Sequence, residues 1–203
     1  MPIGPYSSLG QLLSRKSSLG KVTENDAFKA WFGQSKASSY GDPIVLFHGT
    51  TADFEEFDAD RSIGTAWERF GYWFTEDEGY AADVASPDKE KVRVIKAYLS
   101  IQKPIILYGD RGWKRLADMY ESVNGGSIYE ASKEKNRAFR QHLISQGYDG
   151  VIILRYTGDI EDWDEPQNFY IALDPRQIKH VNNVGTFNPN DPNMFHGSPK
   201  RRK

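Results

Sequence analysis

Residues 43–85 constrain the fold of this 203-residue chain more than any other segment. The apolar run at residues 44–47 has the length and β-rich composition of a buried strand, and it ends at His48. A second run, at residues 70–74, carries aromatic side chains at four of its five positions and also predicts a strand. Together the two strands would place a histidine beside an aromatic cluster.

The residues that follow these runs predict a helix and an accessible backbone. Thr75 and Glu78 have the spacing of a capping box, which predicts a helix at residues 76–85. Gly49 follows His48, and a glycine after a strand end lets another molecule approach the backbone closely. A lone histidine is nevertheless more often a hydrogen-bonded core residue than a ligand-binding one, and aromatic residues are more often core than a ligand platform. The residue types alone therefore leave both interpretations open.

The composition excludes several kinds of site. The absence of cysteine excludes disulfides, thiol nucleophiles and cysteine-based zinc sites, and the four histidines lack the spacing of metal ligands. The net charge of −2 provides no overall attraction for nucleic acid, so such binding would need a local patch. No apolar run approaches the ~20 residues of a membrane helix, and the N-terminus lacks the apolar segment of a secretory signal. We therefore expect a cytosolic protein without a membrane partner.

The remaining pattern predicts one domain at residues 24–193, between a flexible leader (1–23) and a basic tail (194–203). Thr23 or Asn25 can cap a first helix that ends at Gly33. Further strands are predicted at residues 92–106, 151–154 and 169–173, and further helices at residues 113–123 and 130–146. The last helix has a basic face, which is most simply solvated but is also the best patch for an acidic partner: Lys133, Lys135, Arg137 and Arg140.

The segments LFHGTTADFEEFD and FGYWFTEDEGYAADVA resemble the ADP-ribosyltransferase fold of the diphtheria-toxin and poly-ADP-ribose polymerase type. Within that group they most resemble the polyvalent-protein domains of phages and mobile elements. The resemblance extends from Phe28 to about Asn193, with FKAWFGQSK, YDGVI, DPRQIK and GTFNPNDPN in the expected order. It implies an α+β fold, with two packed, mainly antiparallel sheets, flanking helices and an NAD cleft. It also implies transfer of ADP-ribose from NAD, as substrate, without a metal.

By this resemblance the first motif would bind NAD. His48 would hold the adenosine-side ribose, Gly49 would offer backbone hydrogen bonds to the nicotinamide amide, and Thr50 would support that amide. Arg61 lies in the loop after this motif. An arginine there could meet a pyrophosphate or be a solvated loop charge, and the two interpretations are equally supported.

The second motif departs from the family pattern. Its tyrosine, two residues after Gly71, falls on Trp73, which keeps an aromatic ring to stack on nicotinamide but lacks the hydroxyl. Tyr72 is adjacent but should face the opposite side of the strand. A second stacking tyrosine would fall on Val84, and Tyr80, one turn earlier, could reach the ring instead. The resemblance thus adds Gly71, Tyr72, Trp73 and Tyr80 to the cofactor-binding residues.

The third motif departs as well, because its glutamate falls on Phe169. Gln167 and Glu165 precede Phe169 with the parity of the same strand face. Relatives that transfer a single ADP-ribose often lack that glutamate, so Phe169 argues against chain elongation. The predicted catalytic residues are His48, Trp73, Phe169 and Gln167.

The sequence therefore predicts an NAD-dependent mono-ADP-ribosyltransferase, an effector or toxin of a phage or mobile element that acts in the host cytosol. A host protein is the expected acceptor, nucleic acid is a possible one, and the chain is taken as a monomer by default. Two alternatives within the fold stay open: an inactive relative that binds NAD or protein, and an enzyme that modifies nucleic acid. An unrelated hydrolase is disfavoured, because no Ser-His-Asp or paired-carboxylate spacing is present.

Overall fold

Helices and strands combine in an α+β arrangement, as the sequence predicts. The computed structural model describes residues 22–58, 66–86, 91–158, 165–183 and 185–195. Its helices are α1 (Asp26–Phe32), α2 (Glu78–Ala85), α3 (Gly109–Asn124) and α4 (Lys133–Ser145). Its strands are β1 (Ser38–Ser39), β2 (Asp42–Pro43), β3 (Leu46–Thr50), β4 (Tyr72–Thr75), β5 (Arg93–Leu99), β6 (Pro104–Tyr108), β7 (Gly150–Tyr156), β8 (Gln167–Ala172) and β9 (Ile178–His180). Single 3₁₀ turns occur at Trp67–Phe70, Ile128–Glu130 and Pro175–Gln177.

One mixed sheet of seven strands has the order β6-β7-β8-β4-β3-β5-β9, and β1 and β2 form a separate pair. Neighbouring strands of the large sheet are antiparallel, apart from the parallel pair β6 and β7. Strands β3 and β4, both fully described, are paired only at Phe47 and Thr75. This pair divides the sheet into a four-stranded half, β6-β7-β8-β4, and a three-stranded half, β3-β5-β9. The α+β fold is confirmed, but in place of two separate packed sheets the seven strands form one mixed sheet whose two halves are joined at a single residue pair.

Two apolar clusters cover the two faces of the sheet. Along β7, Ile152 belongs to the first cluster, whereas Val151 and Ile153 belong to the second, as side-chain alternation requires. Helices α3 and α4 cover the second face with the fully buried Leu116 and Phe139. The second cluster is therefore the one that lies between sheet and helices.

Helix α1 is capped at both ends by the residues that favour such positions. Asn25 Oδ1 accepts a hydrogen bond from the Ala27 amide at 2.7 Å, so Asn25 and not Thr23 is the N-cap. Gly33, with a φ of 55°, ends the helix as predicted. The helix packs on β5 and on the C-terminal segment through a third cluster of aromatic rings: Phe28, Trp31, Phe32, Tyr98 and Phe187.

The long strand predicted at residues 92–106 is wrong, because the chain forms two strands, β5 and β6, with a turn between them. The Asp149 carboxylate accepts hydrogen bonds from the amides of Gln102 and Lys103, each at 2.7 Å. These two amides therefore donate to a side chain that is distant in the sequence and not to a neighbouring strand of the sheet. The interruption therefore depends on tertiary structure.

The predicted cap of helix α2 is also wrong by two residues. Asp77 Oδ1 accepts a hydrogen bond from the Tyr80 amide at 2.8 Å and caps a helix that begins at Glu78. The predicted cap, Thr75, is the last residue of β4, and its Oγ1 accepts a longer bond of 3.3 Å from the Asp77 amide. The strand thus extends further than its aromatic run suggests.

A buried lysine ties the C-terminal segment to β9. Lys179 is fully buried, and its Nζ donates to the carbonyl oxygens of Asp191 and Asn193. Burial lowers the pKa of Lys179, while the nearby Asp191 acts in the opposite direction. The segment then reaches the loop after β3, where the Met194 amide donates to the Glu55 carbonyl oxygen at 2.9 Å.

The packed part of the chain extends beyond the predicted boundary at residue 193. Met194 is fully buried, and the Phe195 ring lies 4.4 Å from that of His180, between centroids. Residues 1–21 of the predicted leader and 196–203 of the predicted tail lie outside the described residues. Among the described helices, none has the length and apolar character needed to cross a membrane.

Candidate active site

The His48 ring lies where β3 and β4 separate. Its Nδ1 is 2.8 Å from the Trp73 carbonyl oxygen, which can only accept, so Nδ1 carries a proton and donates it. The ring packs against Phe57 and Phe74, with centroids 5.0 and 5.4 Å apart. Burial lowers the pKa of His48, and the bond to Trp73 opposes that shift only in part. His48 is therefore neutral near neutral pH, and its Nε2 is a hydrogen-bond acceptor.

Helix α2 packs directly on the backbone of Gly49. A Cβ atom at Gly49 would lie 1.7 Å from the Ala81 carbonyl oxygen and 2.8 Å from the Ala85 Cβ. The sequence predicts that another molecule approaches the backbone closely at this glycine. In the structure, helix α2 of the same chain lies there. The next residue, Thr50, uses its Oγ1 to accept a bond of 3.1 Å from the Ala52 amide. The predicted contacts of Gly49 and Thr50 with nicotinamide stay predictions.

The Trp73 ring lies on the opposite side of β4 from the His48 ring. Its neighbours are in the second apolar cluster and include Trp113 and Phe169, with centroids 5.6 and 5.7 Å away. The indole N–H donates to the Glu68 carbonyl oxygen, which fixes the ring plane. The structure thus brings His48 to the backbone of Trp73 and not to its ring.

Phe169 is the centre of an aromatic group at the third-motif position. Its centroid lies 5.7 Å from that of Trp73, 5.6 Å from that of Tyr80 and 5.8 Å from that of Tyr156. Val84, where the resemblance would place a second stacking ring, is 63% exposed, so Tyr80 is the residue of α2 that joins this group. The position thus faces both predicted stacking rings, but Phe169 supplies no carboxylate.

Gln167 lies on the same face as Phe169, as its parity predicts. Phe169 is opposite Thr75 in the ladder between β4 and β8. The Thr75 hydroxyl donates to Gln167 Oε1 at 3.4 Å, and Gln167 Nε2 donates to the Glu165 carbonyl oxygen at 3.2 Å. Gln167 is therefore a buried amide at the edge of the aromatic group, whereas Glu165 is exposed.

Gly71 and Tyr72, predicted to contact the cofactor, are instead used in packing. A Cβ atom at Gly71 would lie 2.5 Å from Ile171 Cγ2, so β8 occupies that space. The Tyr72 ring is buried against Phe57, at 5.3 Å, and the Arg140 guanidinium lies 5.5 Å from its centroid. Tyr72 points away from the Trp73 ring because neighbouring residues of a strand face opposite sides.

Arg61, predicted to contact a pyrophosphate or solvent, lies outside the described residues. The basic face of α4 is less available than the sequence suggests. On the basic face of α4, Arg140 Nε donates to the Phe70 carbonyl oxygen at 2.6 Å, and Lys135 Nζ lies 3.6 Å from Glu130 Oε2. Arg140 and Lys135 are thus bound within the protein. No group of three or more metal-ligating side chains occurs among the described residues.

Trp113 and Tyr156 belong to the aromatic group but are missing from the sequence-based site. Their rings stack with centroids 4.5 Å apart and an interplanar angle of 28°. The helical pattern of α3 carries a signal for Trp113, which lies on the apolar face with Leu116 and Tyr120. Tyr156 has no such signal, because its direction depends on an irregularity in β7.

Trp73→Ala is expected to lower the free energy of unfolding by about 3 kcal/mol, since large aromatic-to-alanine changes in cores remove packing of that order. Trp73→Tyr keeps a ring but loses the donor to the Glu68 carbonyl oxygen, so a loss of about 1 kcal/mol is expected. Urea unfolding of both variants measures these differences. A Trp73→Ala protein as stable as the wild type would show that this ring does not stabilise the cluster.

The chain matches a known protein family over most of its folded part. The family is described as "ADP-Ribosyltransferase in polyvalent proteins", and the matched residues are 38–187. This range includes β3 with His48, β4 with Trp73 and β8 with Phe169. No curated protein matches the chain. Because the match covers more than half of the 203 residues, the chain belongs to the family of ADP-ribosyltransferases found in polyvalent proteins.

Proposed function

We propose that the protein is an NAD-dependent mono-ADP-ribosyltransferase. ADP-ribosyltransferases generally use NAD as the donor substrate, and family membership supports the same reaction here. The observation that carries the proposal is the state of His48. Its ring is neutral, is oriented by the Trp73 carbonyl oxygen, and offers Nε2 as an acceptor at the point where β3 and β4 separate.

In this proposal the neutral His48 accepts a hydrogen bond from a ribose hydroxyl of NAD. A protonated imidazole has two donors and no acceptor, so lowering the pKa preserves the atom that binds the sugar. The transition state has oxocarbenium character, and the protein contributes by positioning the reactants and by stabilising the positive charge on the ribose. The aromatic group around Phe169 provides ring faces on which nicotinamide can stack.

Transfer of a single ADP-ribose, and not of a chain, is supported by Phe169. Elongation requires that a hydroxyl of an attached ADP-ribose be activated as the next acceptor, which is the task of a general base. Phe169 faces Trp73 and Tyr80 and has no ionisable group of its own. We therefore infer that the acceptor's nucleophile must react without activation by a general base at position 169.

The acceptor is proposed to be a host protein, reached in the host cytosol as a phage or mobile-element effector. Polyvalent proteins are the source of the matching family, and this supports such an origin. Nucleic acid is the second candidate acceptor, and the exposed side chains on α4, such as Lys133 and Arg137, would be its local patch. Label transferred to RNA or DNA would favour that second acceptor.

Incubation of the protein with labelled NAD and a host lysate tests the proposal. Label is expected on protein bands, and the intact mass of a purified target should increase by one ADP-ribose. His142→Ala, which changes a histidine in the last turn of α4, is the matched control and should transfer like the wild type. A ladder of additions at one site would refute the single transfer, and binding of NAD without release of nicotinamide would indicate an inactive relative.

A further inference from the structure

Strand β7 contains a bulge that redirects one aromatic side chain. Ile153 is opposite Phe169 in β8, and Tyr156 is opposite Gln167, so three steps along β7 correspond to two along β8. In a regular strand Tyr156 would face the side opposite to Ile153. The extra residue instead turns Tyr156 to the face that carries Phe169 and Gln167.

The backbone of the bulge is held in an unfavourable conformation. Arg155 has a φ of 57°, in the left-handed region that a long side chain rarely adopts, at a cost of about 1–2 kcal/mol. Its amide donates to Asn168 Oδ1 at 2.8 Å, which stabilises the turn. Such strain is concentrated at functional positions, where a bulge often redirects a side chain.

The Tyr156 ring is held in place by contacts with two elements. One face stacks on Trp113. Gly158 lies close to the hydroxyl end of the ring, where a Cβ atom would be 2.6 Å from Tyr156 Cε1 and 2.8 Å from the hydroxyl oxygen. The Asp110 carboxylate accepts hydrogen bonds from the amides of Thr157 and Gly158, at 3.1 and 2.9 Å, and fixes that turn. Several independent contacts therefore determine the position of one phenol.

Tyr156 and Tyr80 both pack against Phe169. Tyr80 belongs to α2, which packs on Gly49 of the three-stranded half, whereas Tyr156 belongs to the four-stranded half. Burial, with a contribution from the neighbouring Tyr156, raises the pKa of Tyr80 to about 12. The two phenols thus come from elements associated with different halves of the sheet and lie beside the position at which the family pattern places a carboxylate.

We propose that the Tyr156 hydroxyl is a catalytic group that hydrogen-bonds a hydroxyl of the nicotinamide-side ribose, where Phe169 cannot. This inference rests on the proposed transfer from NAD. Tyr156 is half-buried, whereas Tyr80 is 8% exposed and the Phe169 side chain has no polar atom.

The reaction needs no proton transfer by Tyr156. The bond between ribose C1′ and the nicotinamide nitrogen breaks, and its electron pair leaves with nicotinamide, which departs as a neutral molecule. A lone pair of the acceptor forms the new bond to C1′, and the acceptor's proton passes to solvent. The Tyr156 hydroxyl orients the ribose while positive charge develops on it, so its effect is on the transition state more than on binding.

Tyr156→Phe tests this role, because it removes one oxygen and keeps the stacked ring. We expect kcat for transfer to fall at least ~10-fold, with KM for NAD changed by less than ~3-fold, as for a group that acts in the transition state. The melting temperature should stay that of the wild type. Tyr129→Phe is the matched control, since the Tyr129 ring is 93% exposed on the turn before α4, and it should leave kcat unchanged.

NAD analogues that lack the 2′- or 3′-hydroxyl of the nicotinamide-side ribose provide the second test. If Tyr156 binds one of these hydroxyls, the analogue that lacks that hydroxyl should have a lower kcat than NAD with the wild type. With Tyr156→Phe, the kcat for the same analogue should fall little further. Additive losses with both analogues, or an unchanged kcat in Tyr156→Phe, would overturn the inference while transfer by the wild type stands. A wild type that releases no nicotinamide would refute the proposed function and this inference together. NAD and its analogues are compared within the same variant, so a lower melting temperature of Tyr156→Phe affects both measurements equally and the test stays decisive.

Discussion

His48→Ala is expected to lower ADP-ribose transfer by about 100-fold or more, because misplacing a bound substrate can cost about that much in rate even when the lost contact is far from the reacting atoms. The variant also leaves the Trp73 carbonyl oxygen without its donor and opens space beside Phe57. A stability loss of about 1–3 kcal/mol should therefore accompany the loss of activity. Loss of activity in His48→Ala alone would not separate these two roles.

His48→Asn separates them. The asparagine amide can replace Nδ1 as the donor to the Trp73 carbonyl oxygen, but it has no atom in place of Nε2. We expect stability close to that of the wild type together with the full loss of NAD binding, measured by urea unfolding and by calorimetric titration with NAD. Normal NAD affinity in His48→Asn would show that Nε2 does not bind the ligand.

Gly49→Ala is expected to be the most damaging single-methyl change in the site. The added carbon would lie 1.7 Å from a backbone carbonyl oxygen of Ala81, which cannot rotate away, so helix α2 must move. Overpacking of this kind typically costs about 1–3 kcal/mol. Because α2 carries Tyr80, the displacement should also reduce transfer beyond the effect of lower stability.

Gly79→Ala is the matched control for Gly49→Ala, since it adds the same methyl group to α2 itself. There the nearest atom is Asp77 Oδ1 at 3.2 Å, on a side chain that can adjust. Alanine also favours the helix by up to about 1 kcal/mol, so the stability of Gly79→Ala should be equal to or slightly above that of the wild type. Equal melting temperatures for Gly49→Ala and the wild type would contradict the close packing of α2 on β3.

The parts of the site that were predictable from the sequence are those set by local periodicity. The apolar run before His48 predicts a strand there, although β3 begins at Leu46 and continues through His48 to Thr50, so the predicted strand end at His48 is wrong. Alternation along β4 correctly separates Tyr72 from Trp73. The parity of Gln167 and Phe169 is likewise local, since both lie in one regular strand. Each of these expectations depends only on neighbours in the chain.

The parts that were not predictable depend on contacts between distant residues. The break between β5 and β6 comes from the Asp149 carboxylate, about 46 positions away from the amides that it binds. The direction of Tyr156 comes from one extra residue in β7, which no periodic pattern records. The sequence predicts that a ligand approaches the backbone of Gly49, whereas the packing of α2 on that residue depends on tertiary structure.

The order in which the chain is made also matters for when the protein can act. His48 belongs to β3, one of the first strands to be synthesised, but its half of the sheet ends with β9, and the residues that hold the loop beside it come last, at Met194. Chains emerge from the ribosome N-terminus first, and domains generally fold as units. A nascent chain that already carries the histidine motif therefore still lacks the strand and the closing segment that complete its surroundings. The site can therefore complete its folding only after the whole domain has emerged from the ribosome.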